Sequence, residues 1–253
     1  MTVYDGVIGE CEEMLESFEA VSGKRLSLER GRSWQQEESG KIIMRDETVC
    51  ELGGGVMPAP SGIAFTSGNI ADESGTDSDD ACGEDEIWLY GPDLPELTGN
   101  VPYARLTFLQ VDDSGWGDNA KAYEAMRRID YTRYHVYPRG YMMRVSVAES
   151  REPVRVSGRA VEEGLDFAVV GGMLADAYHI HPEVRKVKII FITAPDFNYD
   201  LIVPKVEKMG KITRSLDKIF DNLIMDCRSC NLKPVCDEVE GMRELHMKQN
   251  ARY

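Results

Sequence analysis

The sequence has little positive charge and no long hydrophobic run. Its 253 residues contain 29 lysines and arginines against 44 aspartates and glutamates, so the formal net charge is −15. This balance excludes general binding to nucleic acid, because a phosphate backbone requires a basic surface. The longest apolar run, residues 187–193, contains a lysine and is far shorter than the roughly 20 residues of a membrane-spanning helix. We therefore expect neither a nucleic-acid partner nor a membrane span.

The amino-terminal segment lacks the features of a secretory signal. Residues 1–21 contain six acidic residues and no basic one, whereas a secretory signal begins with positive charge and continues with an apolar stretch. The prediction is a cytoplasmic protein. In a reducing cytosol its six cysteines are expected to be free thiols or metal ligands rather than disulfides.

Motifs of common catalytic sites are absent as well. The sequence contains no phosphate-binding glycine loop, no nucleophile elbow and no zinc-protease helix. No catalytic residue is predicted, and whether the chain is an enzyme stays open.

Hydrophobic periodicity predicts an α+β fold, in which helices flank a mixed sheet and a C-terminal helical tail carries cysteines. Predicted helices cover residues 119–131, 173–178 and 196–225 and an amino-terminal stretch that ends near Ser22-Gly23; predicted strands cover 41–45, 48–52, 87–90, 104–111, 141–147, 167–170 and 186–193. We divide the chain into an N-terminal helical segment (1–40), an α+β domain (41–195) with an acidic loop at 56–86, and a helical tail (196–253).

The tail contains a cluster of cysteines. Cys227, Cys230 and Cys236 lie within ten residues, and the Cys-x-x-Cys spacing lets two thiolates reach one metal ion. One interpretation is a [4Fe–4S] cluster completed by a distant thiolate. For this fourth ligand we select Cys50, with Cys82 and Cys11 as the other candidates. The alternatives are a structural zinc ion, completed by a fourth cysteine or His246, and three unliganded thiols.

The middle of the chain is locally basic. Between residues 121 and 159 nine basic residues face four acidic ones, a local charge of +5, and five tyrosines are interleaved with them. Guanidinium groups bind phosphates in a bidentate manner, and aromatic faces stack on bases. The predicted cofactor-binding residues are Arg127, Arg128, Arg133, Arg139, Arg144 and Tyr141. A phosphate-rich ligand such as CoA, an acidic protein partner, or pairing with the chain's own carboxylates would each account for this stretch.

Three short segments carry a family resemblance. They are Val49-Cys-Glu-Leu-Gly-Gly, Leu89-Tyr-Gly-Pro-Asp-Leu-Pro-Glu-Leu and Pro102-Tyr-Ala. Together they resemble the central domain of acetyl-CoA synthase, the β subunit of the anaerobic CO dehydrogenase/acetyl-CoA synthase complex. The resemblance covers about residues 40 to 195. In that family this domain lies beside the catalytic one and is associated with CoA and partner-protein contacts, and the basic stretch falls within it here.

The resemblance does not include the family's nickel–iron–sulfur domain. The carbon–carbon bond-forming activity is therefore not carried over. We expect an accessory or partner-binding iron–sulfur subunit of one-carbon or acyl/methyl-transfer metabolism, serving electron transfer beside larger redox, corrinoid or CO dehydrogenase-type subunits. One alternative is a truncated acetyl-CoA synthase-type enzyme, an acyl-CoA/CO-related transferase that binds CoA at the arginine–tyrosine centre. The other is a zinc-stapled adaptor protein.

Overall fold

The computed structural model describes residues 2–18, 22–28, 34–38, 41–68, 70, 84–144, 150–220, 231–239 and 242. Its α-helices are α1 (Asp5–Glu16), α2 (Asn119–Tyr131), α3 (Gly158–Glu162), α4 (Phe167–Tyr178), α5 (Tyr199–Phe220) and α6 (Lys233–Glu238). Its strands are β1 (Lys24–Leu26), β2 (Thr48–Leu52), β3 (Ser61–Thr66), β4 (Glu86–Tyr90), β5 (Gly99–Val101), β6 (Ala104–Val111), β7 (Tyr141–Met143), β8 (Val154–Ser157) and β9 (Val184–Ile192). The fold is α+β, as the periodicity predicts.

Five strands form a mixed sheet in the order β1-β4-β9-β6-β3. The central strand β9 is parallel to β4 and antiparallel to β6. Strand β3 lies at one edge, parallel to β6, with Ser61 opposite Arg105. All residues of β9 from Lys186 to Ile192 are buried, which is typical of a sheet that is covered on both faces.

Helices cover both faces of this sheet. On one face, Phe167 of α4 stacks on Phe191 of β9, with 4.5 Å between ring centroids. Phe191 lies opposite Arg105, which lies opposite Ser61, so these three residues share one face of the sheet. Gly62 follows Ser61 and therefore belongs to the opposite face, because neighbouring residues of a strand alternate. There α5 approaches so closely that a Cβ at Gly62 would lie 2.6 Å from Met209 Sδ. Helix α1 packs beside α5.

Four further strands form a smaller mixed sheet in the order β5-β2-β8-β7. Strand β2 pairs antiparallel with β8 and parallel with β5. Val154 and Val156 of β8 are buried, and the residues between and after them are partly exposed. The Tyr141 hydroxyl of β7 lies 3.0 Å from the hydroxyl of Tyr103, the residue before β6. This hydrogen bond links the smaller sheet to the larger one.

The predicted strand at 167–170 is wrong, because these residues form the first turn of α4. The Asp166 side chain caps the helix by accepting a hydrogen bond from the Val169 amide at 2.7 Å. Phe167, Val169 and Val170 are all buried. A helix buried on most sides loses the polar stripe that reveals helical periodicity, so its sequence looks like that of a buried strand.

The range 56–86, predicted as an acidic loop, contains a strand. Strand β3 occupies six residues of it, and all six are buried. The segment Ser61-Gly-Ile-Ala-Phe-Thr is short and rich in small residues, so its hydrophobic pattern is weak. The loop prediction for the whole range rests on the acidic block that follows it. Residues 69 and 71–83 of this range lie outside the described residues.

Two further predictions near the amino terminus are wrong. Residues 41–44 are not a strand, and a 3₁₀ helix follows at Arg45–Glu47. Helix α1 ends at Glu16 rather than near Ser22. At this end the Ser17 hydroxyl donates to the Met14 carbonyl at 2.7 Å. Strand β1 was not predicted. It pairs antiparallel with β4 and completes the sheet at its second edge.

Other predictions are confirmed. Strands β2 and β6 and helix α2 have the predicted bounds, and Ala125, Met126 and Ile129 of α2 face the core. The predicted long helix after residue 195 corresponds to α5.

Within the described ranges, no helix combines the length and the apolarity that crossing a membrane requires.

Candidate ligand-binding site

A pocket of about 190 Å³ lies between α2 and α5, over the edge strand β3. Four arginines line it, together with Asp130 and Asp217. The arginines are Arg127, Arg133, Arg151 and Arg214. Four guanidinium groups against two carboxylates make this pocket positive within a chain whose net charge is −15.

Helix α2 presents its charged residues to the pocket because its other face is fixed in the core. Asp118 caps the helix by accepting hydrogen bonds from the amides of Ala120 and Lys121, at 3.1 and 3.0 Å. Tyr123 stacks on Phe220 of α5, with 5.1 Å between ring centroids, and its hydroxyl donates to Asp217. The contacts of Tyr123 hold α2 against α5 beside the pocket.

An ion pair between Arg133 and Asp130 forms one wall of the pocket. The two groups are 3.1 Å apart, and their side chains are only 12 % and 15 % exposed. Burial raises the pKa of the Asp130 carboxyl, and the charge of Arg133 opposes that shift. Arg133 also lies over the ring of Tyr134, 4.9 Å from its centroid. Neither Arg133 Nε nor the Tyr134 hydroxyl has a hydrogen-bond partner among the described residues.

The opposite wall contains a residue with an unusual backbone conformation. Ser150 has φ of +49°, and no other non-glycine residue of the described chain has a positive φ. Its carbonyl accepts a hydrogen bond of 2.9 Å from the Ser61 amide at the edge of β3. A Cβ at Gly210 would lie 2.8 Å from Ser150 Oγ and 3.2 Å from Arg214 Nη1. The absence of a side chain at Gly210 therefore lets this hydroxyl and this guanidinium group converge. Strained backbone of this kind is concentrated at functional sites.

A buried ion pair lies behind the pocket. Arg105 Nη2 donates to Glu152 Oε2 at 2.6 Å, and the two side chains are 2 % and 0 % exposed. Ser61 lines the pocket, and its hydroxyl donates to the same carboxylate oxygen at 3.3 Å. Arg105 Nε and Nη1, Glu152 Oε1 and the Tyr178 hydroxyl have no hydrogen-bond partner among the described residues.

A second buried ion pair, in the same sheet as Arg105, has no unpaired carboxylate oxygen. Lys186 donates to Glu86 Oε1 at 2.6 Å, and Glu86 Oε2 accepts from Trp88 Nε1 at 2.8 Å. Both carboxylate oxygens of Glu86 are therefore satisfied. Buried polar groups are normally hydrogen-bonded, so unpaired ones beside a pocket mark the region as a candidate binding site.

The structure brings only part of the predicted basic centre together. Arg127 and Arg133 line the pocket. Arg128 pairs with Glu183, and Arg139 pairs with Glu163 and lies over the Trp34 ring. Arg144 is exposed at the end of β7.

Tyr141, also predicted to bind a cofactor, is fully buried rather than exposed in the pocket. Its hydroxyl bonds to Tyr103, and burial raises its pKa well above the usual range.

Sequence reasoning missed three residues of this region. Arg214 and Ser150 gave no signal, because they reach the pocket through contacts between distant segments. Arg105 has a sequence signal, because it is the one charged residue in β6, an otherwise mostly apolar strand. A charge in such a strand requires a partner, and the partner is Glu152.

The structure describes two of the four predicted metal ligands. Cys236 is partly exposed in α6, which packs against α5. Cys50 is buried in β2, and burial raises the pKa of its thiol to about 12. Cys227 and Cys230, like Cys82 and His246, lie outside the described residues. Within the part of the chain that is described, no group of three or more histidine, cysteine or acidic side chains is arranged to hold a metal ion.

No protein-family model and no curated protein matches this chain. The resemblance to acetyl-CoA synthase therefore stays a prediction that rests on the motifs quoted above. The pocket provides an independent line of argument about function.

Proposed function

We propose that this chain is an accessory subunit that binds an anionic ligand in the arginine pocket and docks onto larger subunits of a CO dehydrogenase/acetyl-CoA synthase-like complex. The resemblance supports the assembly, and the pocket supports the ligand binding. The observation that carries the proposal is the concentration of four guanidinium groups in one pocket of an acidic chain.

CoA is the ligand that the resemblance implies, and the lining of the pocket suits its phosphates. Guanidinium groups form paired, charge-assisted hydrogen bonds with phosphate oxygens. At about 190 Å³ the pocket is smaller than the roughly 300–1,000 Å³ of sites that enclose a whole drug-sized ligand. We therefore propose that it holds one phosphate-bearing part of CoA and that the rest of the molecule lies outside it.

Arg133→Gln is expected to weaken CoA binding about 10- to 100-fold, because it removes a charge-assisted hydrogen-bond donor worth about 1.5–3 kcal/mol. Isothermal titration calorimetry measures this change. Arg128→Gln is the matched control, since Arg128 is on the same helical segment but pairs with Glu183 away from the pocket. Absence of CoA binding in the parent protein, or an equal loss in both variants, would contradict the proposal.

For the tail we propose a [4Fe–4S] cluster bound by Cys227, Cys230 and Cys236, with Cys50 as the fourth ligand and zinc as the alternative metal. Protein purified without oxygen should contain about four iron and four sulfide per chain. Cys230→Ala should lose both, whereas Ser229→Ala, at the neighbouring residue without a thiol, should keep them. Elemental and sulfide analysis checks this. Zinc without sulfide would support the adaptor alternative instead, and retention of iron in Cys230→Ala would rule out ligation by this cysteine.

A further inference from the structure

We infer that the anionic group held by the pocket is a dianionic phosphate, free or as a monoester, and that it binds beside Gly210, between Ser150 and Arg214. The inference rests on the proposed function in one respect, since it takes the arginine pocket as the ligand site. It adds the charge state of the bound phosphate and the position at which it binds.

Two hydrogen-bond donors lie close together beside Gly210, in the lining of the pocket. Ser150 Oγ and Arg214 Nη1 lie 2.8 and 3.2 Å from the position that a Cβ of residue 210 would take. Arg214 is only partly exposed and lines the pocket. The two donors are therefore at most about 6 Å apart, and a hydroxyl and a guanidinium group this close can donate to two oxygens of one bound anion.

The backbone of Ser150 is held in place by the segment around it. The Ser150 carbonyl accepts from the Ser61 amide, and the Glu152 amide donates to the Ala59 carbonyl at 2.8 Å. Between them, Arg151 Nη2 donates to the Met57 carbonyl at 2.9 Å. The buried pair of Glu152 with Arg105 fixes the end of this segment. These contacts maintain the positive φ of Ser150, so the backbone that carries the hydroxyl is fixed before a ligand arrives.

The charge of the pocket favours a dianion over a monocarboxylate. Its four arginines and two aspartates leave an excess of two positive charges. A phosphate monoester carries close to two negative charges at neutral pH and has three acceptor oxygens. A monocarboxylate would leave one positive charge uncompensated and offers two oxygens. The volume of about 190 Å³ accommodates a phosphate group but not a complete nucleotide cofactor.

The test is calorimetric titration with inorganic phosphate at about pH 8 and constant ionic strength, where the ligand is mainly dianionic. Gly210→Ala should weaken phosphate binding at least about tenfold, because the new methyl group would collide with Ser150 Oγ and displace this donor. Gly9→Ala in α1 is the matched control. It is also a helical glycine, but no atom lies within 4 Å of its Cβ position. Arg214→Gln, which adds no bulk, should reproduce the loss if Gly210→Ala fails to fold.

Two results would overturn the inference: no phosphate binding by the parent protein, or equal phosphate affinity in Gly210→Ala and Gly9→Ala. Titrations with CoA and dephospho-CoA separate it from the proposed function. CoA binding that is unaffected by Gly210→Ala would refute the phosphate position and leave the proposed function standing. Phosphate binding that depends on Gly210 without any CoA binding would refute CoA as the ligand and support the inference. A preference for CoA over dephospho-CoA would assign the bound phosphate to a monoester on a larger molecule rather than to free phosphate.

Discussion

Glu152→Gln is expected to lower the free energy of unfolding by about 3–5 kcal/mol, because it leaves Arg105 charged and unpaired in the protein interior. The Arg105 side chain is 2 % exposed, and Glu152 is its ion-pair partner. Glutamine has nearly the same shape as glutamate, so the variant removes charge with little change in packing. Urea denaturation monitored by circular dichroism measures the loss.

Two controls give this result its meaning. Glu163→Gln removes a carboxylate that pairs with Arg139 and Arg159 at the surface, and its cost is expected to stay below about 1 kcal/mol. The double variant Arg105→Met with Glu152→Leu should recover much of the loss, because an apolar pair leaves no charge to solvate. If Glu152→Gln were as mild as Glu163→Gln, Arg105 would have to find another partner or water, and the buried pair would not be needed for stability.

Phe191→Ala is expected to cost about 3–5 kcal/mol of unfolding free energy, because it opens a cavity at the centre of the larger sheet. Phe191 has no exposed surface, and its ring stacks on Phe167 at 4.5 Å and on Tyr103 at 6.5 Å between centroids. The ring thus joins α4, β9 and the start of β6. Thermal and chemical denaturation should both show the loss.

Ile180→Ala is the comparison for this cavity. Ile180 is a large apolar residue just after α4, but 77 % of it is exposed. Its removal should change stability by less than about 0.5 kcal/mol. Similar midpoints for the two variants would mean that the packing around Phe191 relaxes to fill the space.

Much of the fold could be predicted because its clearest elements have regular patterns. Helix α2 has one apolar face, and β6 is an apolar run of strand length, so both bounds were found. Helix α4 was misread, since its glycines and small apolar residues make all sides suitable for burial. Strand β3 was missed, because six residues carry little pattern and the reason for their burial, the covering by α5, lies far along the chain.

The candidate site could be predicted only where its residues are close in sequence. Arg127 and Arg133 belong to the local excess of positive charge, and both line the pocket. Arg128 shares that excess, but it pairs with Glu183 instead. Arg214 and Ser150 come from segments that meet only in the folded chain, so no spacing rule could have joined them. The metal site in the tail remains a prediction, since Cys227 and Cys230 lie outside the described residues.

The position of β3 has a consequence for synthesis on the ribosome. This strand pairs on one side with β6, but its Gly62 face is covered by Val206 and Met209 of α5, which are translated much later. A nascent chain that has emerged as far as β9 can therefore form the larger sheet while one apolar face at its edge stays bare. Uncovered apolar surface at the edge of a sheet promotes association with other chains. The interval before α5 emerges is thus the stage at which a chaperone that shields apolar surface would contribute most to the yield of native protein.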